Sequence, residues 1–347
     1  LTNANLSIAY LKDANLTGAD LSGAILTGAD LIFADLSGAN LSGADLSNAD
    51  LSGVSSVHIT GTPILPVSYS VVNGYIVGPN VNLTGADLRS ADLTDADLRG
   101  ADLTNADLSN TILTGAILTN ADLSGADLTN AVLYEADLTG ADLTNADLTN
   151  ASLSIADLTG ANLINAELTG ASLTLANLTG ANLTGAYMIL ANLINADLAG
   201  ATLTGAELTN ADLTDASLTD ADLTGADLTN ANLANASLTD ADLSGAYLGG
   251  TNLTGADLTD ADLTGVDLTN ADLTGADLSG VMSGSITGTP TLPSSYSVIS
   301  GHIVGPGADL SGADLTNAYL GGTNLTNANL TNANLSIAYL KDANLTG

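Results

Sequence analysis

The sequence contains no cysteine, no tryptophan, one phenylalanine and only four basic side chains. Without cysteine there are no disulfides, no thiolate nucleophile and no Cys-ligated metal site. Four Lys and Arg residues are too few to neutralise the phosphates of a nucleic acid or of an anionic membrane. No apolar run approaches the roughly 18–20 residues that a membrane span requires. These absences argue against disulfide scaffolds, nucleic-acid binders and membrane-inserted proteins.

Acidic residues outnumber basic residues by 38 to 4, which gives a net charge of −34. The mean hydropathy is nevertheless positive. Most of the remaining residues are small, aliphatic or neutral-polar, which disfavours an ordinary globular enzyme core. Charged partners, if there are any, should therefore be cations or basic surfaces.

Catalytic residues are scarce. The two histidines, His58 and His302, occupy non-equivalent positions, and we interpret both as surface residues. No nucleophile elbow, phosphate-binding loop or metal-ligand motif is present. The sequence therefore predicts a protein that is not an enzyme and has no catalytic or cofactor-binding residues.

Leucine recurs at every fifth position from Leu1 to Leu51, from Leu83 to Leu278 and from Leu310 to Leu345, with Met188 as the one substitute. A helix would spread these leucines around its axis, and a strand would send alternate ones to opposite faces. The chain must therefore turn once in every repeat. We expect each leucine, and the alanine two residues before it, to fill a narrow interior.

The repeat follows the consensus Ala-[Asp/Asn]-Leu-[Thr/Ser]-[Gly/Asn/Asp], as in Ala101-Asp102-Leu103-Thr104-Asn105. This motif resembles the pentapeptide-repeat family. The resemblance implies an all-β protein, a right-handed quadrilateral β-helix or β-solenoid with four pentapeptides in each coil. The number of sides and the handedness come from the resemblance alone.

The leucine frame breaks twice, and the two breaks align with each other without gaps. All six prolines lie in these inserts, which span 55–81 and 282–308. The segment 69–77 predicts a β-hairpin with Asn73-Gly74 at its turn, because Asn-Gly tolerates positive φ. We therefore expect two hairpin modules inserted between the solenoid segments 1–54, 82–281 and 309–347. A surface insertion without a role is the alternative.

Residues 1–18 recur without change as residues 330–347, an offset of 329. The copy includes residues that depart from the consensus, such as Tyr10 and Lys12. This recurrence predicts slightly more than one period of a longer tandem array, in which the solenoid continues in the same polypeptide or stacks end to end on another copy. A terminal duplication within a finite protein is the alternative.

Acidic residues mainly precede the central leucine, and residues 20 apart should stack on successive coils. Asp87, Asp107, Asp127 and Asp147 would form one such column. Carboxylates about 4.8 Å apart repel by roughly 0.9 kcal/mol in water, so the column is a candidate ladder for cations, in particular Ca²⁺. Solvated acidic faces that maintain solubility are the alternative.

Apolar residues at outward positions are rare and cluster in two groups, which we interpret as candidate lateral interfaces. Random drift of the repeat sequence is the alternative. The first group shares one predicted face, with Leu190 at the preceding corner: Ile112, Val132, Tyr134, Ile155, Leu175, Ile194 and Leu190. The second group lies on two adjacent faces near the start: Ile8, Tyr10, Ile25, Ile32 and Phe33.

Together these patterns predict a structural protein, a segment of a long tandem β-solenoid that forms a filament, surface fibre or extracellular matrix. An inhibitor of a topoisomerase that mimics DNA is the alternative, which the resemblance implies for some family members and the acidity suits. An ice- or cation-binding surface protein is a third hypothesis. We expect self-association end to end and laterally, no nucleic-acid partner, no membrane insertion and an extracellular or cell-surface location.

Overall fold

The structure is a computed structural model that describes residues 1–347. It divides into two compact units, 1–167 and 168–347. Within each unit the pentapeptide repeats one local conformation, in which the Asp or Asn position forms a β-bridge and the two residues after the leucine form a turn. The chain has no helix that could span a bilayer.

Each repeat turns because its fifth residue adopts a positive φ. In the repeat that ends at Asn105, the N–H of Ala106 donates to the carbonyl of Leu103 at 2.9 Å and closes the turn. Asn105 has a φ of 54°, and the equivalent Gly125 has a φ of 66°. A type II turn requires a positive φ at the third of its four residues and nowhere else, and this position favours Gly or Asn. The turn therefore explains the preferred residues at the fifth position.

Successive coils are joined by parallel bridges between residues 20 apart, such as Asp102 with Asp122 in unit 1 and Asp222 with Asp242 in unit 2. The N–H of Asp122 donates to the carbonyl of Ala101 at 3.0 Å, and the carbonyl of Asp122 accepts from the N–H of Leu103 at 2.7 Å. Four repeats therefore separate neighbours in the ladder. The leucines and alanines of the repeats face inward and are buried along most of each unit, as expected from their spacing.

Each insert contains one antiparallel strand pair. In unit 1, β1 (Ser70–Val72) pairs with β2 (Tyr75–Val77). In unit 2, β3 (Ser297–Ile299) pairs with β4 (His302–Val304). The turn between β1 and β2 is Asn73-Gly74, and both residues have positive φ, which type I′ turns require.

The inserts preserve the stacking of the coils. Ser55 bridges Asp35 on the preceding coil and Asn82, which lies beyond the first hairpin. Met282 and Asp309 are likewise bridged across the second hairpin. Each insert therefore forms one irregular coil that is longer than a regular one, and the leucine columns resume in alignment after it. β2 and β4 help to fill the interior, because Ile76 and Ile303 are both fully buried.

Candidate functional site

The predicted acidic column is a ladder in unit 1, since bridges join Asp87 to Asp107, Asp107 to Asp127 and Asp127 to Asp147. Its carboxylates are turned toward their own repeats. Oδ1 of Asp107 accepts from the N–H of Ser109 at 3.1 Å and from its hydroxyl at 2.6 Å. Oδ1 of Asp127 accepts from the N–H of Thr129 at 2.9 Å. The carboxylates therefore stabilise the turns that follow them.

Arg89 lies between the first two carboxylates of this ladder. Its Nη2 is 2.6 Å from Oδ2 of Asp87, and its Nε is 3.4 Å from Oδ2 of Asp107. The hydrogen bond from Arg89 lowers the pKa of Asp87. No group of three or more His, Cys, Asp or Glu side chains is arranged to hold a metal ion. Cation binding by the ladder therefore stays a prediction.

The first apolar group is exposed in the part that lies in unit 1. Ile112 and Val132 are bridge partners on successive coils, and 42% and 36% of their surfaces are exposed. Tyr134 and Ile155 are also exposed. Unit 1 therefore presents a small apolar surface on an otherwise polar exterior.

The remaining members of this group lie in unit 2. Leu175 and Leu190 are exposed at the fifth positions of their repeats, whereas Ile194 is half-buried. The carbonyl of Ile194 accepts from the N–H of Leu175 at 3.0 Å, which places the two residues on adjacent coils. Ile194 therefore contributes less accessible surface than the two leucines.

The second apolar group lies on the first coils of unit 1. Ile8, Tyr10, Ile25 and Phe33 are exposed, and Ile32 is half-buried. The ring of Phe33 lies against Gly53 on the next coil, where a Cβ atom would overlap it. Tyr10 is the most accessible member, with 88% of its surface exposed.

Several of these apolar side chains occupy backbone that disfavours them. The fifth position of the repeat has positive φ even where the residue is bulky, which costs about 1–2 kcal/mol relative to glycine. Such residues gain little from burial, and strain of this kind often marks a functional position. The residues are Ile8, Phe33, Ile155, Leu175, Leu190 and, missed by the sequence analysis, Ile337. An apolar residue at the Gly or Asn position of the consensus is the signal that finds them.

The two inserts carry equivalent open grooves. In the first insert, Pro63, Leu65, Tyr69 and Val71 line a groove of ≈ 390 Å³. In the second, Pro290, Leu292, Tyr296 and Val298 line a groove of ≈ 460 Å³. Each groove is therefore lined by the same four types of apolar residue.

The tyrosine of each groove is held in place. Tyr69 donates its hydroxyl to the carbonyl of Pro79 at 2.9 Å, and Tyr296 donates to the carbonyl of Pro306 at 2.6 Å. Burial raises the pKa of both hydroxyls. Each ring also covers a glycine, Gly78 or Gly305, where a Cβ atom would overlap the ring.

The histidines differ from each other, because His58 is exposed whereas His302 is only partly exposed. His302 begins β4, where its ring is half-buried and its Nδ1 lies 2.5 Å from the carbonyl oxygen of Ser283. The ring also lies over Gly284 of the same insert, where a Cβ atom would be 3.3 Å from Cε1 of His302. His58 is exposed and lines a polar groove of ≈ 320 Å³ together with Asn73, Tyr75 and Arg89.

A family model and several solved structures match this chain, and they indicate one family, the pentapeptide-repeat proteins. The family model described as "Pentapeptide repeats (8 copies)" matches residues 1–28, 24–55, 80–115, 116–154, 156–193, 191–230, 216–255, 241–280 and 308–347. No curated protein matches the sequence.

Three solved structures illustrate the likeness. HetL from Nostoc sp. strain PCC 7120, a pentapeptide repeat protein involved in heterocyst differentiation regulation, is 34% identical over 70% of this chain and 89% of its own, with a TM-score of 0.21. Full-length QnrB1, a plasmid-mediated fluoroquinolone resistance protein, is 21% identical over 49% of this chain and 85% of its own, with a TM-score of 0.27. A pentapeptide repeat protein of the Arabidopsis thaliana thylakoid lumen is 30% identical over 30% of this chain and 68% of its own, with a TM-score of 0.14. The chain belongs to the pentapeptide-repeat family and has that family's right-handed β-helix fold.

Proposed function

We propose that this chain is a non-enzymatic structural protein, a segment of a tandem β-solenoid that forms a filament, surface fibre or extracellular matrix. The observation that carries the proposal is the identity of residues 1–18 with residues 330–347, at an offset of 329. A duplication that keeps even off-consensus residues is typical of a unit that is repeated as a whole. The proposed place of action is outside the cell or on its surface.

In this proposal each coil is quadrilateral, with one pentapeptide on each side, and the hairpins are modules inserted into the solenoid. The regular spacing of bridged residues, four repeats apart, and the turn in every repeat support the four-sided coil. The burial of Ile76 and Ile303 supports modules that are part of the solenoid wall. A ladder of backbone hydrogen bonds along the axis would give such a solenoid its stiffness.

We further propose that copies associate end to end, and laterally through the exposed apolar residues. The strained and exposed Ile155 and Leu175 support lateral contact, because neither burial nor backbone preference accounts for them. Replacing Tyr134, Ile155 and Leu175 with Ser should abolish lateral association and leave the β-sheet spectrum intact. Unchanged association of this variant in sedimentation experiments would refute the lateral interface.

Divalent cations are a proposed aid to this association. With a net charge of −34, copies of the chain repel one another at low ionic strength. Ca²⁺ shared between the ladders Asp87–Asp147 of two copies would offset that repulsion. Light scattering that rises with CaCl₂ and not with NaCl of equal ionic strength would support a specific bridge, and equal effects of the two salts would leave only charge screening.

Negative-stain electron microscopy of the native material tests the proposal most directly. Regular fibres longer than one chain support it. Discrete particles at all protein and CaCl₂ concentrations contradict it.

Inhibition of a topoisomerase by DNA mimicry is the second candidate, and the continuous acidic columns favour it. An acidic solenoid could occupy a basic DNA-binding surface. Salt-sensitive competition with duplex DNA for a purified gyrase, without fibre formation, would place this function first. Absence of competition at low salt would remove it.

A further inference from the structure

Two tyrosines stack on successive coils in unit 2. Tyr319 and Tyr339 are parallel bridge partners, their ring centroids are 4.8 Å apart, and the ring planes differ by 7°. Both rings are accessible, with 70% and 44% of their residue surfaces exposed. They are the one stacked aromatic pair in the chain.

The backbone leaves space for this stack. Gly321 occupies the position that usually holds Thr or Ser, and a Cβ atom there would lie 2.7 Å from Cε1 of Tyr339 and 3.2 Å from Cζ of Tyr319. The lack of a side chain at Gly321 therefore allows both rings to lie side by side over the turn.

The composition of the chain directs oxidation toward tyrosine. There is no cysteine and no tryptophan, and of the two methionines Met188 is buried while Met282 is half-exposed. A chain without cysteine also has no disulfide that could join its coils covalently. Exposed tyrosines are therefore the main side chains that one-electron oxidants can reach.

We propose that Tyr319 and Tyr339 form an oxidative cross-linking site, at which a peroxidase with hydrogen peroxide joins the two rings as dityrosine. Each phenol loses one electron and one proton to give a tyrosyl radical. The radicals couple through a new bond between the Cε carbons next to the hydroxyl groups, and each of these carbons then loses its hydrogen as the rings regain aromaticity through their hydroxyls. Overall, two tyrosines lose two hydrogen atoms, and one hydrogen peroxide is reduced to two waters.

The geometry favours this pair over all other pairs of tyrosines. Because the two rings are held side by side in one chain, each has an effective concentration near the other that is far above that of tyrosines on separate protein molecules. The cross-link would connect two successive coils of one chain. The inference does not depend on filament formation, because it can be tested on the dispersed protein.

The chain provides its own matched control. Residues 246–253 and 318–325 have the same sequence, so Tyr247 has the same sequence neighbours as Tyr319. Tyr247, however, is bridged to Asp267 and has no ring beside it. It is exposed to a similar degree, at 56%.

The test treats the full chain at low concentration with horseradish peroxidase and hydrogen peroxide. Dityrosine is measured by fluorescence, and the intact mass is measured for the loss of two hydrogens. Cleavage at aspartate then releases the peptide between Asp314 and Asp342, which contains both tyrosines and should itself lack two hydrogens. We expect a linkage between Tyr319 and Tyr339 in monomeric chains. Tyr319→Phe and Tyr339→Phe should each lower the intrachain yield by on the order of tenfold or more, whereas Tyr247→Phe should not change it.

The Phe variants retain stacked rings, so loss of the fold does not explain a lower yield. Circular dichroism of each variant verifies this. Intrachain dityrosine at an unchanged yield in Tyr319→Phe, or a wild-type product that is entirely intermolecular, would overturn the proposal.

Discussion

The hydroxyl oxygen of Ser56 accepts a hydrogen bond from the backbone N–H of Ile76 at 2.7 Å, and both residues are buried. Ser56 stands at the position where the five-residue frame calls for leucine. The second insert repeats the arrangement, because Ser283 accepts from the N–H of Ile303 at 2.9 Å. In each insert a serine thus replaces a core leucine and anchors the second strand of the hairpin.

The Ser56→Ala variant should loosen the first hairpin. It leaves the buried N–H of Ile76 without a partner, which costs about 1–3 kcal/mol. The amide of Ile76 should therefore exchange with deuterium about tenfold faster or more, since about 1.4 kcal/mol corresponds to a factor of ten. Ser124→Ala, which removes a surface hydroxyl, is the control. Equal exchange in the two variants would mean that the Ser56 bond does not hold the strand.

Gly305→Ala should distort the second insert. The added methyl group would overlap the ring of Tyr296, which is itself held by the carbonyl of Pro306. Overpacking of this kind typically costs about 1–3 kcal/mol. Gly249→Ala is the matched control, because the nearest atom to its Cβ, the carbonyl oxygen of Thr269, is 3.9 Å away. Thermal unfolding and the near-ultraviolet dichroism of tyrosine should change in the first variant and not in the second.

The β-helix follows from the sequence because one rule specifies it. Leucine at every fifth position excludes helix and strand, and the structure confirms the inward leucine and alanine. The family resemblance, which the pentapeptide motif carries, is also confirmed. Local periodicity was sufficient for these predictions because each repeat has the same surroundings.

The inserts were harder to predict because their stability depends on residues that are distant in the sequence. Nothing local to Ser56 shows that its hydroxyl meets the N–H of Ile76, on the far side of the hairpin turn. The position of the His302 ring likewise depends on the carbonyl of Ser283, 19 residues earlier in the same insert. The backbone strain at Ile155 and Leu190 was also missed, because it becomes apparent only when the fifth position is known to have positive φ.

Ile155→Asn separates backbone strain from association. Asn tolerates positive φ better than a β-branched residue, so the variant should be more stable by about 1 kcal/mol. If Ile155 contacts another copy, the same change should weaken lateral association. Thermal unfolding and sedimentation velocity measure the two effects. A variant that is less stable would show that Ile155 contributes packing within its own chain that outweighs the strain.

The Thr94→Ala variant tests how the hydroxyl of a repeat sets the pKa of the carboxyl group that precedes it. Asp92 has a pKa below its ordinary value of 3.8, chiefly because the Thr94 hydroxyl donates to Oδ1 at 2.6 Å and secondarily because the Thr94 N–H donates to the same atom. A carboxyl group whose pKa is lowered in the folded protein stabilises the fold at pH values above its ordinary pKa. That contribution disappears as the pH falls through the lowered pKa. Removing the hydroxyl should therefore raise the pKa of Asp92 part of the way back, since the backbone bond remains.

Carboxyl ¹³C NMR titration measures this change for Asp92, with Asp272 as the internal reference. The pKa of Asp272 is lowered by the equivalent bonds from Thr274, which the variant leaves in place. An upward shift at Asp92 alone would establish that the hydroxyl of a repeat lowers the pKa of the carboxyl group in its own turn. A shift of both residues would instead indicate that the charge of the whole protein controls their titration, because only a long-range field reaches both sites.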